Sequence, residues 1–165
     1  MSNQQLNYIN DKIIVQDDLD AIITRWKFKQ QSIVFTNGCF DLIHYGHIDY
    51  LSHAKSLGDK LIIGMNSSAS VSRLKGNHRP IKDEQSRLYI LAALQFVDAV
   101  VTFEADTPYK LIEKILPDIL VKGGDWSIDT IVGADLVLQN GGQVKSLPFV
   151  SGFSTTNIEN KIKNQ

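Results

Sequence analysis

The feature that most constrains the fold is a regular alternation between short β-branched runs and segments whose apolar residues recur with helical spacing. The apolar runs begin at Ile33, Leu61, Ala99, Ile119 and Val144. Consecutive parallel strands need long crossover connections, and these are usually helices. The alternation therefore predicts a Rossmann-like α/β fold, a parallel sheet of about five strands with helices on both faces.

Local capping signals define several of the predicted helices. Asp83 and Ser154 are typical N-cap residues, and Thr107 followed by Pro108 predicts a cap with proline at the first helical position. Residues 17–30 predict an extra helix before the first strand, packed at the edge of the sheet. In parallel sheets of this kind ligands bind beyond the carboxyl ends of the strands, where the strand order reverses.

Charge and cysteine content exclude several functional classes. The formal net charge is -1, so no overall positive field attracts nucleic acid or an anionic membrane. The single cysteine, Cys39, excludes an internal disulfide and a multi-cysteine zinc site. The N-terminus lacks the features of a secretory signal, and no apolar stretch approaches the roughly 20 residues that span a bilayer. We expect a cytoplasmic protein that binds neither nucleic acid nor membrane.

The segment after the first predicted strand, residues 36–47, carries the strongest functional signal. It reads Thr-Asn-Gly-Cys-Phe-Asp-Leu-Ile-His-Tyr-Gly-His. Gly38 and Gly46 lack Cβ atoms, so the backbone there can approach a ligand closely. His44 and His47 lie where the next helix begins, and free N–H groups, the helix dipole and imidazole donors favour phosphate at that position.

Other interpretations of the same segment remain open at this point. The histidines are also typical of a solvated helix start, or of a partial metal site with Asp41 as the third ligand. Phe40 fits a core residue, and Cys39 fits a small buried side chain without a base to activate it.

A polar segment, residues 67–82, is predicted to be a loop with a basic cluster. Arg73, Lys75 and Arg79 can close over a phosphate chain, although each of them alone is typical of a solvated surface. Arg87 on the following helix could reach a phosphate or form a surface salt bridge.

Two further segments combine glycine or hydroxyl residues with predicted strand and helix ends. Residues 122–126 read Lys-Gly-Gly-Asp-Trp, which offers close backbone approach, a carboxylate for a ribose hydroxyl, and Trp126 for either stacking or core packing. Residues 154–156 place three hydroxyls at a helix N-terminus, which suits an anion, although Ser154 could serve as a cap alone.

Residues 38–47 combine Gly-x-Phe-Asp with His-x-Gly-His, and in this they resemble the signature of the nucleotidyltransferase superfamily related to cytidylyltransferases and class I aminoacyl-tRNA synthetases. In that superfamily the two histidines grip the triphosphate and stabilise charge as pyrophosphate leaves, which implies these roles for His44 and His47. Residues 152–158 resemble the second motif, Ile-Ser-Ser-Thr-x-x-Arg, but Glu159 stands where that motif has its arginine.

One branch of the superfamily is the most similar. Segments at 35–41, 73–76, 121–125 and 154–157 resemble the heptose 1-phosphate adenylyltransferases of bacterial lipopolysaccharide biosynthesis, and the similarity covers residues 12–162. The resemblance implies a single nucleotidyltransferase domain, 1–165, with an N-terminal extension and helix at 1–30 and a catalytic core at 31–163. Many members fuse this domain behind a sugar kinase. We expect a stand-alone form here, served by a separate heptose kinase.

The resemblance also implies substrates and residue roles. AMP would pass from ATP to D-glycero-β-D-manno-heptose 1-phosphate, with Mg²⁺ held mainly by ATP phosphates and no metal ligand assigned in the protein. Catalytic roles fall to His44, His47 and Lys75, while Asp41 and Arg87 are candidates for orienting the acceptor or the metal. The candidates for nucleotide and phosphate binding are Thr36, Asn37, Gly38, Cys39, Phe40, Gly46, Lys122, Gly124, Asp125, Ser154, Thr155 and Thr156.

Three alternatives stay open. The first is a related transferase such as a glycerol-3-phosphate or ethanolamine-phosphate cytidylyltransferase or a flavin-nucleotide synthase. The second is a non-catalytic nucleotide-binding subunit of a sugar kinase, against which the intact pair His44 and His47 argues. The third, an α/β domain with an interaction role, would require four marked segments to fall at ligand positions by chance. The oligomeric state, including a homo-oligomer, is left open.

Overall fold

The computed structural model describes residues 3–164, apart from the side chain of Lys163. A 3₁₀ turn at Ile128–Thr130 precedes the helix at Ala134–Gln139. In chain order the regular elements of this range are α1 (Gln4–Asn10), β1 (Ile13–Ile14), α2 (Leu19–Phe28), β2 (Ile33–Gly38), α3 (Tyr45–Lys55), β3 (Lys60–Asn66), α4 (Ser68–Lys75), α5 (Glu84–Ala93), β4 (Ala99–Phe103), α6 (Tyr109–Ile115), β5 (Ile119–Gly123), α7 (Ala134–Gln139), β6 (Gln143–Leu147) and α8 (Thr155–Lys163).

The strands form one parallel sheet with the order β1-β4-β3-β2-β5-β6. The predicted Rossmann-like sheet is confirmed, and all five predicted runs lie in strands. One further strand, β1, is absent from the prediction. It pairs Ile13 with Val100 and Ile14 with Val101, and a run of two residues is too short to be recognised in the sequence. From β2 the chain adds β3 and β4 on one side, and then β5 and β6 on the other. The strand order therefore reverses between β2 and β5.

Alternating residues of the strands enter two apolar cores, one on each face of the sheet. Ile33 and Phe35 of β2 join the core that α2, α6 and α7 cover, whereas Val34 joins the core that α3 and α5 cover. Each side chain of this kind contributes about 1.5–3 kcal/mol when it is fully buried. The prediction of helices on both faces is confirmed.

The predicted position of the helix in residues 17–30 is wrong. Leu19, Ile23 and Trp26 of α2 are buried in the same core as Ile33 of the inner strand β2. Their spacing forms one apolar stripe along the helix. A stripe of this width needs an extended apolar surface, which a sheet face provides and a sheet edge does not.

The segment 67–82, predicted to be a loop, begins with helix α4. Ser67 caps this helix by accepting a hydrogen bond from the backbone N–H of Ser70. Val71 is the one buried apolar residue of α4, so the sequence shows no apolar stripe that would reveal a helix. Lys75 is consequently the last residue of a helix, and the loop starts after it.

Two predicted caps are confirmed and one is wrong. Asp83 and Ser154 each accept a hydrogen bond from the backbone N–H three residues on, at the starts of α5 and α8. Helix α6 begins one residue later than predicted, because Pro108 occupies the N-cap position and no side chain caps the helix. Thr107 therefore lies outside the cap.

Candidate active site

A cleft opens at the carboxyl ends of β2 and β5, where the strand order reverses. Asn37 and Gly38 end β2, Lys122 and Gly123 end β5, and all four line the cleft. This is the position at which parallel α/β sheets bind ligands. The other lining residues are Cys39, Phe40, Asp41, His47, Tyr50, Lys75, Phe149 and Thr155.

A tight turn connects β2 to the histidine segment. Phe40 has a φ of 47°, in the left-handed region that side chains larger than glycine rarely adopt. Its ring is buried and lies 5.6 Å from the ring of His47, and a Cβ atom on Gly38 would stand 3.1 Å from it. Phe40 is thus both a core residue and a wall of the cleft, and Gly38 is needed for its close packing.

The two histidines lie side by side at the start of α3. His44 is the N-cap residue, and the centroids of its ring and the His47 ring are 4.0 Å apart. A Cβ atom on the buried Gly46 would stand 3.2 Å from the His44 ring. His47 lines the cleft, whereas His44 is not among the residues that line it. Within residues 3–164, Nδ1 of each ring is buried and has no hydrogen-bond partner.

Burial lowers the pKa of both imidazoles, and neighbouring positive charge adds to the effect at His47. Burial, with the charges of His44 and Lys75, lowers the pKa of His47 to about 4. Burial also lowers the pKa of His44. Each neutral ring carries one N–H donor and one free lone pair. A bound phosphate would reverse the shift, because an adjacent anion favours the protonated form.

Two ammonium groups give the cleft its positive charge. Lys75 and Lys122 both line it. Nζ of Lys122 donates to Oδ1 of Asn37 at 3.4 Å and lies 5.9 Å from the centre of the Trp126 ring. Burial lowers the pKa of Lys122. Two cationic side chains in a cleft that also exposes the imidazole of His47 make it suited to a polyanion.

Asp41 lines the cleft, but its carboxylate is already engaged. It accepts hydrogen bonds from the backbone N–H groups of Ile81 and Lys82 and from Nη1 of Arg79 at 2.7 Å. Burial raises the pKa of Asp41, and these hydrogen bonds outweigh it, so the pKa lies below its usual value. The geometry does not favour the predicted role of orienting an acceptor or a metal. It assigns Asp41 to holding residues 79–82.

Neither Arg87 nor Arg73 is among the residues that line the cleft. Arg87 is fully buried and donates to the carbonyl oxygens of Cys39 and Asn66, both at 2.8 Å. Arg73 donates to Oδ1 of Asp106 at 2.8 Å on the surface. The expected contacts of these two arginines with phosphate, acceptor or metal are therefore not supported. Arg87 instead ties the turn after β2 to the end of β3.

The first turn of α8 reaches the cleft with one of its three hydroxyls. Thr155 lines the cleft, whereas Thr156 is exposed and the Ser154 hydroxyl accepts from the backbone N–H of Asn157 at 3.0 Å. Phe153 packs edge-on against Tyr45, the residue that follows the first histidine. This contact brings the start of α8 close to the start of α3.

The segment after β5 borders the cleft from outside. Gly124 has a φ of 107°, which only glycine adopts without strain. Asp125 is exposed, and Trp126 is 50% exposed with its indole N–H donating to the carbonyl of Gly123 at 2.9 Å. The interpretation of Trp126 as a core residue is therefore wrong, and its ring is available at the rim of the cleft.

Two aromatic residues of the cleft carry no recognisable signal in the sequence. The Tyr50 hydroxyl hydrogen-bonds to the Thr36 hydroxyl, and Thr36 is fully buried, so this threonine supports the site rather than lining it. Tyr50 resembles any other member of the apolar stripe of α3. Phe149 is half-exposed, and a Cβ atom on Gly123 would stand 2.6 Å from its ring. It lies in an irregular segment after β6, where no periodicity exists to mark it.

The described part of the chain shows neither a metal cluster nor a membrane-spanning helix. No group of three or more His, Cys, Asp or Glu side chains among residues 3–164 could hold a metal ion, so the partial metal site of His44, His47 and Asp41 is not supported. None of the described helices combines the length and the apolar character needed to cross a membrane.

Comparisons with known proteins agree with this geometry. The bifunctional protein HldE of Geobacter metallireducens is 54% identical over 151 residues, which cover 92% of this chain and 31% of the relative. The bifunctional protein HldE of Syntrophotalea carbinolica is 49% identical over 162 residues, covering 98% of this chain and 33% of the relative. The chain thus spans about a third of the length of these relatives.

Solved structures give the same picture. The lipopolysaccharide core biosynthesis protein of Thermoplasma volcanium is 32% identical, with a TM-score of 0.58 over 73% of this chain and 97% of the other. Pantoate-β-alanine ligase of Francisella tularensis shares the fold alone, at 18% identity and a TM-score of 0.54 over 93% of this chain and 78% of the other. The cytidylyltransferase-like family model matches residues 35–161. This chain therefore belongs to the cytidylyltransferase-like family.

Proposed function

We propose that this protein transfers AMP from ATP to a heptose 1-phosphate and releases ADP-heptose and pyrophosphate. The observation that carries the proposal is the cleft between β2 and β5, whose lining combines His47 with the ammonium groups of Lys75 and Lys122, while the ring of His44 packs against His47. A nucleoside triphosphate and a sugar phosphate are both polyanions, and this is the arrangement that would bind them together.

The similarity to known proteins supports the choice of substrates. HldE relatives at about half identity are named bifunctional, and this chain matches about a third of their length. That agrees with the resemblance to heptose 1-phosphate adenylyltransferases, in which the domain is often fused behind a sugar kinase. A sugar kinase would then supply the heptose 1-phosphate. The neighbour from Thermoplasma volcanium favours lipopolysaccharide core or a related surface glycan as the destination.

The proposed reaction needs no nucleophile from the protein. A phosphate oxygen of the sugar phosphate attacks the α-phosphorus of ATP, a new P–O bond forms, and the bond to the bridging oxygen breaks as pyrophosphate leaves. The protein positions the two substrates and stabilises the charge that develops. His47 would donate a hydrogen bond to the triphosphate, His44 would support it from behind, and Lys75 and Lys122 would neutralise the outer oxygens.

Backbone groups and hydroxyls would complete the nucleotide site. Gly38 and Gly123 line the cleft at the two strand ends and would offer backbone groups to the nucleotide, while the rings of Phe40 and Phe149 pack where Cβ atoms on these glycines would stand. Thr155 at the N-terminus of α8 would contact a phosphate oxygen. Asp125 and Trp126 at the rim are candidates for the ribose hydroxyls and the base.

Mg²⁺ fits this cleft as a companion of the nucleotide rather than as an ion held by protein ligands. Asp41 is the one carboxylate among the lining residues, and its oxygens accept from Arg79 and two backbone N–H groups. Phosphate oxygens and water would therefore be the main ligands, as is usual for Mg²⁺. The bound ion would supply positive charge at the phosphates.

The experiment is pyrophosphate release by the purified protein with Mg²⁺, in a grid of ATP or CTP against heptose 1-phosphate or glycerol 3-phosphate. Release with ATP and heptose 1-phosphate alone is the expected result. Release with CTP and glycerol 3-phosphate would replace the substrates and keep the chemistry, and the cytidylyltransferase-like family match makes this the second candidate. No release with any pair, but tight ATP binding, would favour a non-catalytic nucleotide-binding subunit.

A further inference from the structure

Helix α8 forms part of the cleft, yet apolar contact attaches it only weakly. Thr155 in its first turn lines the cleft. None of the α8 side chains that the structure describes is buried. Ile158 is half-buried, and Ile162 is 66% exposed. Because apolar burial is the usual attachment of a helix to a domain, this helix needs another anchor.

A chain of ion pairs links α8 to the loop after β2. One nitrogen of the Arg79 guanidinium, Nη2, donates to Oε1 of Glu159, and the other, Nη1, donates to Oδ2 of Asp41 at 2.7 Å. The side chains of Asp41, Arg79 and Glu159 are 3%, 12% and 21% exposed. Solvent and salt therefore screen these pairs less than they screen pairs on an open surface.

Asp41, at the inner end of these ion pairs, belongs to the loop that connects β2 to α3. The carboxylate of Asp41 also accepts from the backbone N–H groups of Ile81 and Lys82, at distances of 2.9–3.0 Å. Asp41 directly follows Phe40, whose ring packs on His47. The position of α8 is thus set relative to the same loop that leads into the two histidines.

We propose that Glu159 is a positioning residue, which acts through Arg79 and Asp41 to fix the first turn of α8, and with it Thr155, against the cleft. The proposal rests on the proposed function, since it takes Thr155 as a contact of the ATP phosphates. It also accounts for the acid at a position where the similar motif has an arginine. A guanidinium still lies beside residue 159, but it comes from Arg79, and two carboxylates occupy its terminal nitrogens.

Hydrogen exchange on the unliganded protein tests the anchor without any ligand. Glu159→Ala is expected to speed amide exchange in residues 155–164 by about tenfold, with β2 and β5 unchanged, because only local opening becomes easier. Glu113→Ala is the matched control, since it removes the ion pair with Lys110 on the open surface of α6. Unchanged exchange in α8 of the Glu159→Ala variant would overturn the proposal.

A double-mutant cycle on ATP binding, measured by calorimetry with Mg²⁺ and without acceptor, tests the route through Thr155. Glu159→Ala is expected to weaken binding by about fivefold in the wild-type background and to add little in a Thr155→Val background, because coupled residues are not additive. Equal losses in both backgrounds would overturn the proposal. Tighter binding in Glu159→Ala would also overturn it, since this would mean that the released Arg79 guanidinium contacts phosphate itself.

The two experiments separate this inference from the proposed function. If the wild-type protein bound no ATP, the proposed function would fail. The exchange experiment would still decide whether Glu159 anchors α8, because it uses the unliganded protein.

Discussion

The loop after β2 and the first turn of α8 face the same cleft, but different forces hold them. The loop follows a strand that is buried on both faces, and Phe40 and Arg87 are buried beneath it. The first turn of α8 belongs to an exposed helix, which is docked through the contact of Phe153 with Tyr45 and the pair of Arg79 with Glu159. The cleft therefore has an inner wall, residues 39–47, which is anchored in the core, and an outer wall, the first turn of α8, which is docked on the surface.

This difference predicts that the two walls of the site have different roles. Groups that stabilise a transition state must be held with little freedom, and a packed core provides this. Elements that admit substrates and release products come from the less stable parts of a protein. We expect changes in the inner wall to affect chemistry or global stability, and changes in the outer wall to affect local opening and ligand affinity.

The largest expected effect comes from the inner wall. His47→Ala should lower kcat by about 10²–10³-fold, the usual cost of removing a donor that stabilises developing charge. The thermal midpoint should stay close to that of the wild type, because His47 is only partly buried. His53→Ala, on an exposed face of α3, is the matched control. An unchanged kcat in His47→Ala would remove the role assigned to this residue.

Loss of Arg87 should have the largest effect on stability. Arg87→Met keeps the length of the side chain but leaves the carbonyl oxygens of Cys39 and Asn66 without their donor, which should cost about 3 kcal/mol of unfolding free energy. Arg73→Met removes a partly exposed surface pair and should cost about 0–1 kcal/mol. Urea denaturation of the two variants measures both values. Equal costs would show that the inner wall does not depend on the buried guanidinium.

A smaller effect concerns pH. The pKa of His47 is about 4 in the folded protein and about 6.5 in the unfolded chain. Between these values the unfolded chain binds more protons, so His47 makes the free protein less stable as the pH falls from about 6.5 toward 4. The thermal midpoint of the free wild-type protein should decrease as the pH falls through this window, and it should decrease less in the His47→Asn variant.

Phosphate binding should shift this titration in the opposite direction. Bound ATP would raise the pKa of His47, so binding should take up protons at pH values above the free-state pKa of about 4, and affinity should increase as the pH falls toward that value. Calorimetry in two buffers of different ionisation enthalpy measures the uptake. Absence of uptake would contradict contact between the triphosphate and the histidines.

The smallest effect sharpens the comparison between the walls. Ser67 and Ser154 cap α4 and α8 through the same hydrogen bond, but Ser67 is buried and Ser154 is not. Ser67→Ala should cost about 1 kcal/mol of global stability, whereas Ser154→Ala should leave the global midpoint unchanged and only speed amide exchange in α8. An equal loss of global stability in both variants would mean that α8 unfolds together with the core.

Much of the cleft at the ends of β2 and β5 could be predicted from the sequence. The five apolar runs, the glycines beside them and the His-x-Gly-His segment are local patterns, and the structure brings Asn37, Gly38, His47, Lys75 and Lys122 together at one end of the sheet. The rest of the cleft could be predicted less well. Asp125 and Thr156 are exposed and do not line the cleft. Phe149 carries no signal in the sequence, because it lies in an irregular segment without a period that reveals its direction.

The sequence by itself determined the class of fold, the order of the five longer strands and the chemistry available at the strand ends. These depend on hydrophobic periodicity and on residue types within short windows. Only the tertiary structure decided which charged groups remain available to a ligand. Arg79 lies 38 residues from Asp41 and 80 residues from Glu159 along the chain, and it forms ion pairs with both carboxylates. Lys75 and Lys122 instead line the cleft. The choice between an ion pair and an open charge depends on packing across the whole domain, and no local pattern encodes it.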